Sequence, residues 1–412
     1  MVNLLMNEIF GEENFVTSFM WKRKKEISSD SKNISIQGEY ILSYTKSDLA
    51  QFNLEPLSED YLNKSYKEPN SEFPDGKWRP VPITVSKGLS GGGYEYTIIN
   101  PNGKKHNRLW AYPEESFKKL VVEKKVYYGK DGNGVPQRVI YAKDSEGQPS
   151  TNYWDNFTTN KEGKKEVLSL FEANYFDTPK PTKLIIKLAN LVCENNDIIL
   201  DFFSGSGTTA HAVMALNAED GGNRKCISVQ LPEKTDEKSE AYKAGFKTIA
   251  DIAKERIRRA GKKIKDDLGL MISELDSKIK KLESELPTEE TKAEIQNLKS
   301  KISNLKSQDL GFKVLKLSDS NFKQWQQITG KDKQALEEQM KLFVDPVAEN
   351  ATIENMVYEL LLKSGKDLNS TIEAKDGFYI INETELILIL EKANQEIIDA
   401  VIASKPQKVI AL

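Results

Sequence analysis

Asp197-Ile198-Ile199-Leu200-Asp201-Phe202-Phe203-Ser204-Gly205-Ser206-Gly207-Thr208-Thr209 decides the fold class of this chain. Asp197 to Phe203 is an apolar run of strand length, read here as a buried strand. Ser204 to Gly207 forms a tight loop, and Thr208 to Leu216 is predicted to be a helix. Lys225 to Leu231 makes the next strand, which completes a βαβ unit of α/β type. The two glycines let the backbone turn sharply and approach a ligand closely. The helix start then presents free backbone N–H groups and the positive end of its dipole. Taken alone, Gly205-x-Gly207-x-x-Ala210 also fits a dinucleotide fingerprint. The loop by itself therefore leaves open a nicotinamide oxidoreductase, or a turn with no ligand.

Around this unit the organisation is mixed. Upstream, Ile185, Leu188, Ala189 and Val192 fall on one face of a helix predicted over Thr182 to Cys193, with Pro181 in its first turn. Met6 to Phe10 reads as a helix stopped at Gly11. Phe15 to Trp21 and Tyr40 to Tyr44 read as strands, and Phe52 to Pro82 as an extended connector. From Trp78 to Trp154, turn signals at Gly91-Gly92-Gly93, Asn100 to Gly103 and Lys130 to Gly134 separate short apolar runs. This is a β-rich module of hairpins, interrupted by a helix near Glu114 to Val122. Ala241 to Lys265 is a further helix with a basic end, including Arg258-Arg259 and Lys262-Lys263. Leu275, Ile279, Leu282 and Leu286, then Ile295, Leu298, Ile302 and Leu305, step by three and four. Pro287-Thr288 lies between the series, so an antiparallel helical hairpin is expected. Beyond Asp309 follows a mixed α+β region ending on a strand at Lys408 to Leu412.

With 412 residues and 38% hydrophobic content, the chain can build two or three cores. A net charge of -3 says nothing for nucleic acid, but the charge is unevenly spread. Residues 75–146 hold 13 Lys/Arg against 8 Asp/Glu, and residues 311–412 hold 12 against 16, so the β-rich module is the basic one. No apolar run approaches the ~18 residues of a membrane span, and the N-terminus lacks a signal-peptide pattern. Cys193 and Cys226 have no metal spacing and read as buried reduced thiols. A cytoplasmic protein without a metal site is expected.

Asp201 to Thr209 is similar to the S-adenosylmethionine loop of amino-methylating DNA methyltransferases. Phe176-Asp177-Thr178-Pro179-Lys180-Pro181 resembles the motif preceding that loop in their circularly permuted β group. Asn217 to Arg224 and Val229-Gln-Leu-Pro-Glu233 resemble the modification subunit of type III restriction-modification systems, an adenine-N6 DNA methyltransferase. Weaker likeness covers Leu5 to Phe15, Tyr94 to Trp110 and Asp309 to Val314. The resemblance implies a partial Rossmann-like methyltransferase core with a β-rich target-recognition insertion. The expected division is residues 1–50 as a core remnant, 51–155 as the recognition region and 156–265 as the cofactor-binding core. Residues 266–308 are then the helical hairpin, and 309–412 a C-terminal α+β region.

Each cofactor role follows from the resemblance. Gly205 and Gly207, with Ser204 and Thr208 flanking them, would admit the methionine part close to the backbone; Thr208 could instead simply cap the helix. Asp201 would accept from the ammonium, and Phe203 and Phe176 would pack beside the cofactor, Phe176 near the adenine. Thr178, Pro179 and Lys180 would line the methionine side. Glu233 would accept from the ribose, with Gln230 as its rival. In the basic module Lys104, Lys105, Arg108, Lys124, Lys125 and Arg138 are candidates for DNA contacts. The implied partners are double-stranded DNA, a restriction (Res) subunit and a second modification subunit in a homodimer.

One element of the family pattern is missing. The chemistry uses an Asp-Pro-Pro-Tyr-type loop to hold the flipped adenine, and no Pro-Pro dipeptide occurs in the 412 residues. No catalytic residue is therefore assigned. In the permuted order that loop precedes the Leu5 to Phe15 match, so we expect a chain truncated at its N-terminus, and at its C-terminus as well. Such a chain would be inactive alone and would expose apolar faces where neighbouring strands are lost. The alternative is a non-catalytic DNA-recognition module partnering a restriction subunit.

Overall fold

The computed structural model describes residues 2–27, 33–85, 92–284, 288–324, 333–342 and 344–412. Gly91, Leu286 and Pro287, singled out above, lie outside them. The chain is a mixed α/β protein that divides into two compact units, Met1–Phe312 and Lys313–Leu412.

The first unit opens with α1 (Val2–Phe10), stopped by Gly11 at φ 91°. Next come β1 (Phe15–Lys22) and β2 (Gly38–Tyr44), paired antiparallel. The stretch read as an extended connector contains α2 (Glu59–Ser65) and β3 (Trp78–Pro82). Ser58 starts that helix by accepting from Tyr61 N–H; the capping serine is visible in the sequence, but seven mostly polar residues carry no periodicity. The basic module continues with β4 (Tyr94–Ile99), β5 (Lys105–Trp110), α3 (Glu114–Val122), β6 (Val126–Tyr127), β7 (Gln137–Tyr141) and β8 (Tyr153–Trp154). Strands β4 and β5 form a two-stranded antiparallel ribbon, β3-β7-β6 a separate sheet, and β8 adds in parallel to β1. Two aromatic cores hold the module. One gathers Ile83, Ile98, Trp110, Phe117 and Val126, and the other Phe73, Trp78, Val139 and Tyr141.

Helices α4 (Asn160–Phe171) and α5 (Thr182–Val192) lead into the βαβ unit of β9 (Ile198–Asp201), α6 (Thr208–Asp220) and β10 (Lys225–Ser228). The strands are parallel, in register from Ile198 opposite Lys225 to Asp201 opposite Ser228. Helix α6 packs against α5, β10 and a later helix, so Ala210, Ala212, Val213, Met214 and Leu216 are all buried. Strand β9 is not the buried strand expected. Ile198 is 61% exposed and Leu200 58%, because among the described residues the sheet has only these two strands. Cys193 and Cys226 are half-buried rather than buried, for the same reason.

The expected break between a basic helix and a hairpin is also absent. After α7 (Glu240–Lys243) and a turn at Gly245, α8 runs unbroken over Ile249–Glu283. Thr248 and Asp251 form a reciprocal capping box at its start. Its glycines cost only about 1 kcal/mol each, and a side chain at Gly261 would crowd the Leu310 carbonyl, 3.0 Å away. Helix α9 (Glu289–Lys306) packs on α8, with Lys278–Glu294 and Lys299–Glu283 ion pairs between them.

The second unit contains α10 (Lys333–Leu342), α11 (Ile353–Lys363), β11 (Ile372–Lys375), β12 (Phe378–Ile381), β13 (Leu386–Ile389), α12 (Gln395–Ala403) and β14 (Val409–Ala411). Its sheet order is β11-β12-β13-β14, antiparallel except for β13 with β14. Leu386 and Leu388 face a core with Val357 and Leu361, while Ile387 and Ile389 face one with Phe378 and Val401. Burial on both faces explains the uninterrupted Leu-Ile-Leu-Ile run. Leu388→Ala is expected to cost about 2–5 kcal/mol, read as a lower urea midpoint; an unchanged midpoint would contradict the double-sided packing.

Candidate cofactor site

The turn after β9 is built from short backbone bonds. Ser204 N–H donates to the Val229 carbonyl at 3.1 Å, and Gly207 N–H to the Ser204 carbonyl at 2.8 Å. Gly205 and Gly207 sit at φ 51° and 75°, the left-handed region that favours glycine. A Cβ on Gly207 would also stand 3.2 Å from the Ala253 carbonyl of α8. Asp201 accepts from Phe203 N–H at 3.1 Å and from the Thr209 hydroxyl at 2.5 Å. Its carboxylate therefore braces both ends of the turn.

Of the Phe176 to Pro181 segment, Phe176 reaches this turn. The Phe176 ring edge is 3.5 Å from where a Cβ on Gly205 would stand. Pro179 is buried, and its carbonyl fills the space a side chain at Gly163 would need, which accounts for a glycine inside α4. Thr182, the first residue of α5, donates its N–H to the Glu166 carboxylate at 3.1 and 3.0 Å and its hydroxyl at 3.0 Å.

Arg256 of α8 joins these pieces. It is fully buried, and its Nη1 donates to Ser206 Oγ at 2.8 Å and Thr208 Oγ1 at 2.7 Å. Its Nη2 pairs with Glu166 at 3.3 Å. Burial lowers the guanidinium pKa to about 10, against the pull of Glu166, so it stays charged at neutral pH. Burial likewise pushes the Glu166 carboxyl up, opposed by Thr182 and Arg256. Sequence reading missed both residues. The signal available was a basic residue at position 256, in register with the apolar face of Ile252, Ala253, Ile257 and Ala260.

Phe176, Asp201, Ser204, Gly205, Gly207 and Thr208 thus come together. Thr208 does not cap the helix through its side chain; Gly207 is the N-cap, and the Thr208 hydroxyl belongs to Arg256. Gln230 joins the turn by accepting from Gly205 N–H at 2.7 Å. Glu233 and Thr178 are exposed. Phe203 is 79% exposed, beside Phe202 at 5.0 Å between ring centroids. Lys180 is held elsewhere: its ammonium pairs with Glu39 and lies 5.4 Å from the Trp21 ring centre. Between α5 and β9 runs an apolar groove of 380 Å³, lined by Ile185, Leu188, Val192, Leu200, Phe202 and Phe203.

The profile of the DNA methylase family matches residues 1–240, the span that contains both the turn and its Phe176 neighbour. The chain belongs to the DNA methylase family. One relative is the Mod subunit of the type III restriction-modification enzyme StyLTI of Salmonella typhimurium, 58% identical over 277 residues. That match takes in 67% of this chain and 42% of the relative. The EcoP15I Mod subunit of Escherichia coli is 32% identical over 303 residues, 64% of this chain and 46% of that protein. The type II methyltransferase M.KpnI of Klebsiella pneumoniae is 28% identical over 285 residues, 62% and 65% respectively. This DNA methylase chain spans less than half the length of both type III relatives. No helix among its described residues is long and apolar enough to cross a membrane, and they hold no cluster of His, Cys, Asp or Glu fit for a metal ion.

The DNA candidates divide into two groups. Lys104, Lys105, Arg108 and Lys124 are exposed. Lys125 pairs with Glu123 and Asp144, and Arg138 donates to the Tyr112 hydroxyl at 3.1 Å across its ring.

Glu166→Gln is expected to destabilise the first unit by about 3–5 kcal/mol, because it strands a buried guanidinium. Adding Arg256→Met should recover part of that loss, a coupling read by a double-mutant cycle in urea; strict additivity would contradict the pairing. His211, on α6, has its pKa lowered to about 3 by burial and by Arg256 and Lys263. A folded pKa below the ordinary 6.5 makes the unfolded chain bind the extra proton first. Stability should therefore fall as pH drops from about 6.5 to about 3, by up to about 1.4 kcal/mol per pH unit. His211→Gln should flatten that decline, and an equally steep variant would refute the assignment.

Proposed function

We propose that this chain is the cofactor-binding and target-recognition part of the modification subunit of a type III restriction-modification system, an adenine-N6 DNA methyltransferase. The observation that carries the reading is Phe176 set against the glycine turn at Gly205, with the turn clamped by Arg256. The identity to type III Mod subunits supports the assignment of the system.

The βαβ unit is read as part of a Rossmann-like core for S-adenosylmethionine. Gly205 leaves room for the Phe176 ring beside the turn, Gly207 lets α8 pack closely behind it, Asp201 retains acceptor capacity toward an ammonium, and Phe176 offers an aromatic face. Gln230, already bonded to the turn, is better placed beside it than the exposed Glu233. The cofactor, when bound, supplies an electrophilic methyl group. Residues 51–155 are read as the recognition region, and 266–308 and 309–412 as surfaces for a second Mod chain and a restriction subunit. The apolar groove and the exposed Ile198, Leu200 and Phe203 are read as the face on which further strands of a methyltransferase sheet pack.

The same reading separates binding from chemistry. With no Pro-Pro dipeptide, residues 1–412 carry no Asp-Pro-Pro-Tyr-type loop to hold the adenine amino group. The chain should bind S-adenosylmethionine in calorimetry and give no methyl transfer to DNA from a radiolabelled donor. Absent binding would overturn the cofactor reading and favour a pure recognition module. Turnover with DNA would overturn the claim that the missing loop is required.

A further inference from the structure

The β4–β5 ribbon has two unlike faces. Ile98 and Trp110 point inward and are 4% and 0% exposed, against the core of Ile83, Phe117 and Val126. Alternation puts Glu95, Thr97, Ile99, Lys105, Asn107 and Leu109 on the other face, where all but the half-buried Leu109 are exposed. Register pairs Thr97 with Asn107 and Ile99 with Lys105. An isoleucine 57% exposed between polar neighbours has no role in the core behind it.

The ribbon is held stiffly. Trp110 Nε1 donates to the Tyr96 carbonyl at 2.8 Å across the strands. At the tip, buried Asn100 donates to the carbonyls of Gly132 at 3.1 Å and Gly134 at 2.8 Å, and Asn102 to that of Asp131 at 2.9 Å. Lys104, Lys105 and Arg108 are exposed along the tip and β5, against the single acidic Glu95 of the ribbon. His106 feels that charge: burial, then Lys104 and Arg108, push its pKa down.

We propose that the exposed face of this ribbon reads base edges in the major groove of duplex DNA, through Thr97, Ile99, Lys105 and Asn107. The proposal rests on the reading of residues 51–155 as the recognition region and names the surface that does the work. The major groove, about 12 Å wide, admits a two-stranded ribbon, and its donors and acceptors distinguish all four base pairs. Same-face neighbours on a strand lie about 6.8 Å apart, roughly two base steps of about 3.4 Å. Asn107 suits the adenine N6 and N7 pair, Lys105 the guanine O6 and N7 acceptors, Ile99 a thymine methyl group, and Thr97 either kind of polar edge. Lys104, at the ribbon tip, suits a flanking phosphate, which sets position rather than sequence.

The test uses the 412-residue chain and a pool of random 30-base-pair duplexes, about three helical turns long. The chain should enrich one motif, and fluorescence anisotropy should then rank single-pair variants of that duplex. Asn107→Ala and Thr97→Ala should each lose about tenfold discrimination at one or two positions, with unchanged affinity for an unselected duplex and an unchanged thermal midpoint. Lys104→Ala should weaken binding to every duplex and reduce the salt slope by about one. If the chain enriches a motif that these variants read as the parent does, the ribbon proposal falls while the recognition reading stands, and if it binds without enriching any motif, both fall. If it binds no duplex, both fall.

Discussion

A guanidinium with no access to water holds the glycine turn after β9 to the helices around it. Arg256 reaches from α8 to the hydroxyls of Ser206 and Thr208 and to Glu166 of α4. Glu166 in turn receives the start of α5 through Thr182. Burying such a charge is costly unless its bonds are made, so the bonds of Nη1 and Nη2 favour this arrangement of the four pieces. That arrangement seats the glycine turn against α8 and sets Phe176 beside it. Two motifs separated by a helix and a strand thereby become neighbours.

Stability around this clamp is uneven. Helix α6 is buried on nearly every side, while the strands flanking it expose Ile198, Leu200 and Ile227. A two-stranded parallel sheet has too little apolar area to shield both faces. The family profile ends within this unit, at residue 240, and the second unit keeps its own doubly packed sheet. The exposed strand face and the self-contained C-terminal unit give the chain different surfaces to offer to neighbours.

The β-rich module separates its aromatic and its basic residues. Trp78, Trp110 and Tyr141 are core, and Tyr96, Tyr112, Tyr127 and Tyr128 pack against it half-buried, so the aromatic richness of the module reflects packing first. Of the basic candidates, Lys125 and Arg138 are spent on internal partners, and three of the four exposed ones, Lys104, Lys105 and Arg108, lie on or beside one ribbon. Composition alone cannot make that distinction, because a lysine counts equally toward charge whether or not an internal carboxylate has claimed it.

Local pattern was enough to identify the βαβ unit, the helix after Pro181, the hairpin turn at Asn100 to Gly103 and the lineage, since each depends on residues adjacent in the chain. Gly205 and Gly207 were legible for the same reason: a positive φ is a property of one residue. What only the tertiary structure decided involves partners far apart in sequence. Arg256 meets Ser206, Glu166 meets Thr182, and Lys180 turns to Glu39. Charge runs and periodicity name the face a side chain occupies. Which distant group it meets, and whether an apolar strand finds a neighbour to cover it, depends on how the elements pack, and no local spacing encodes that.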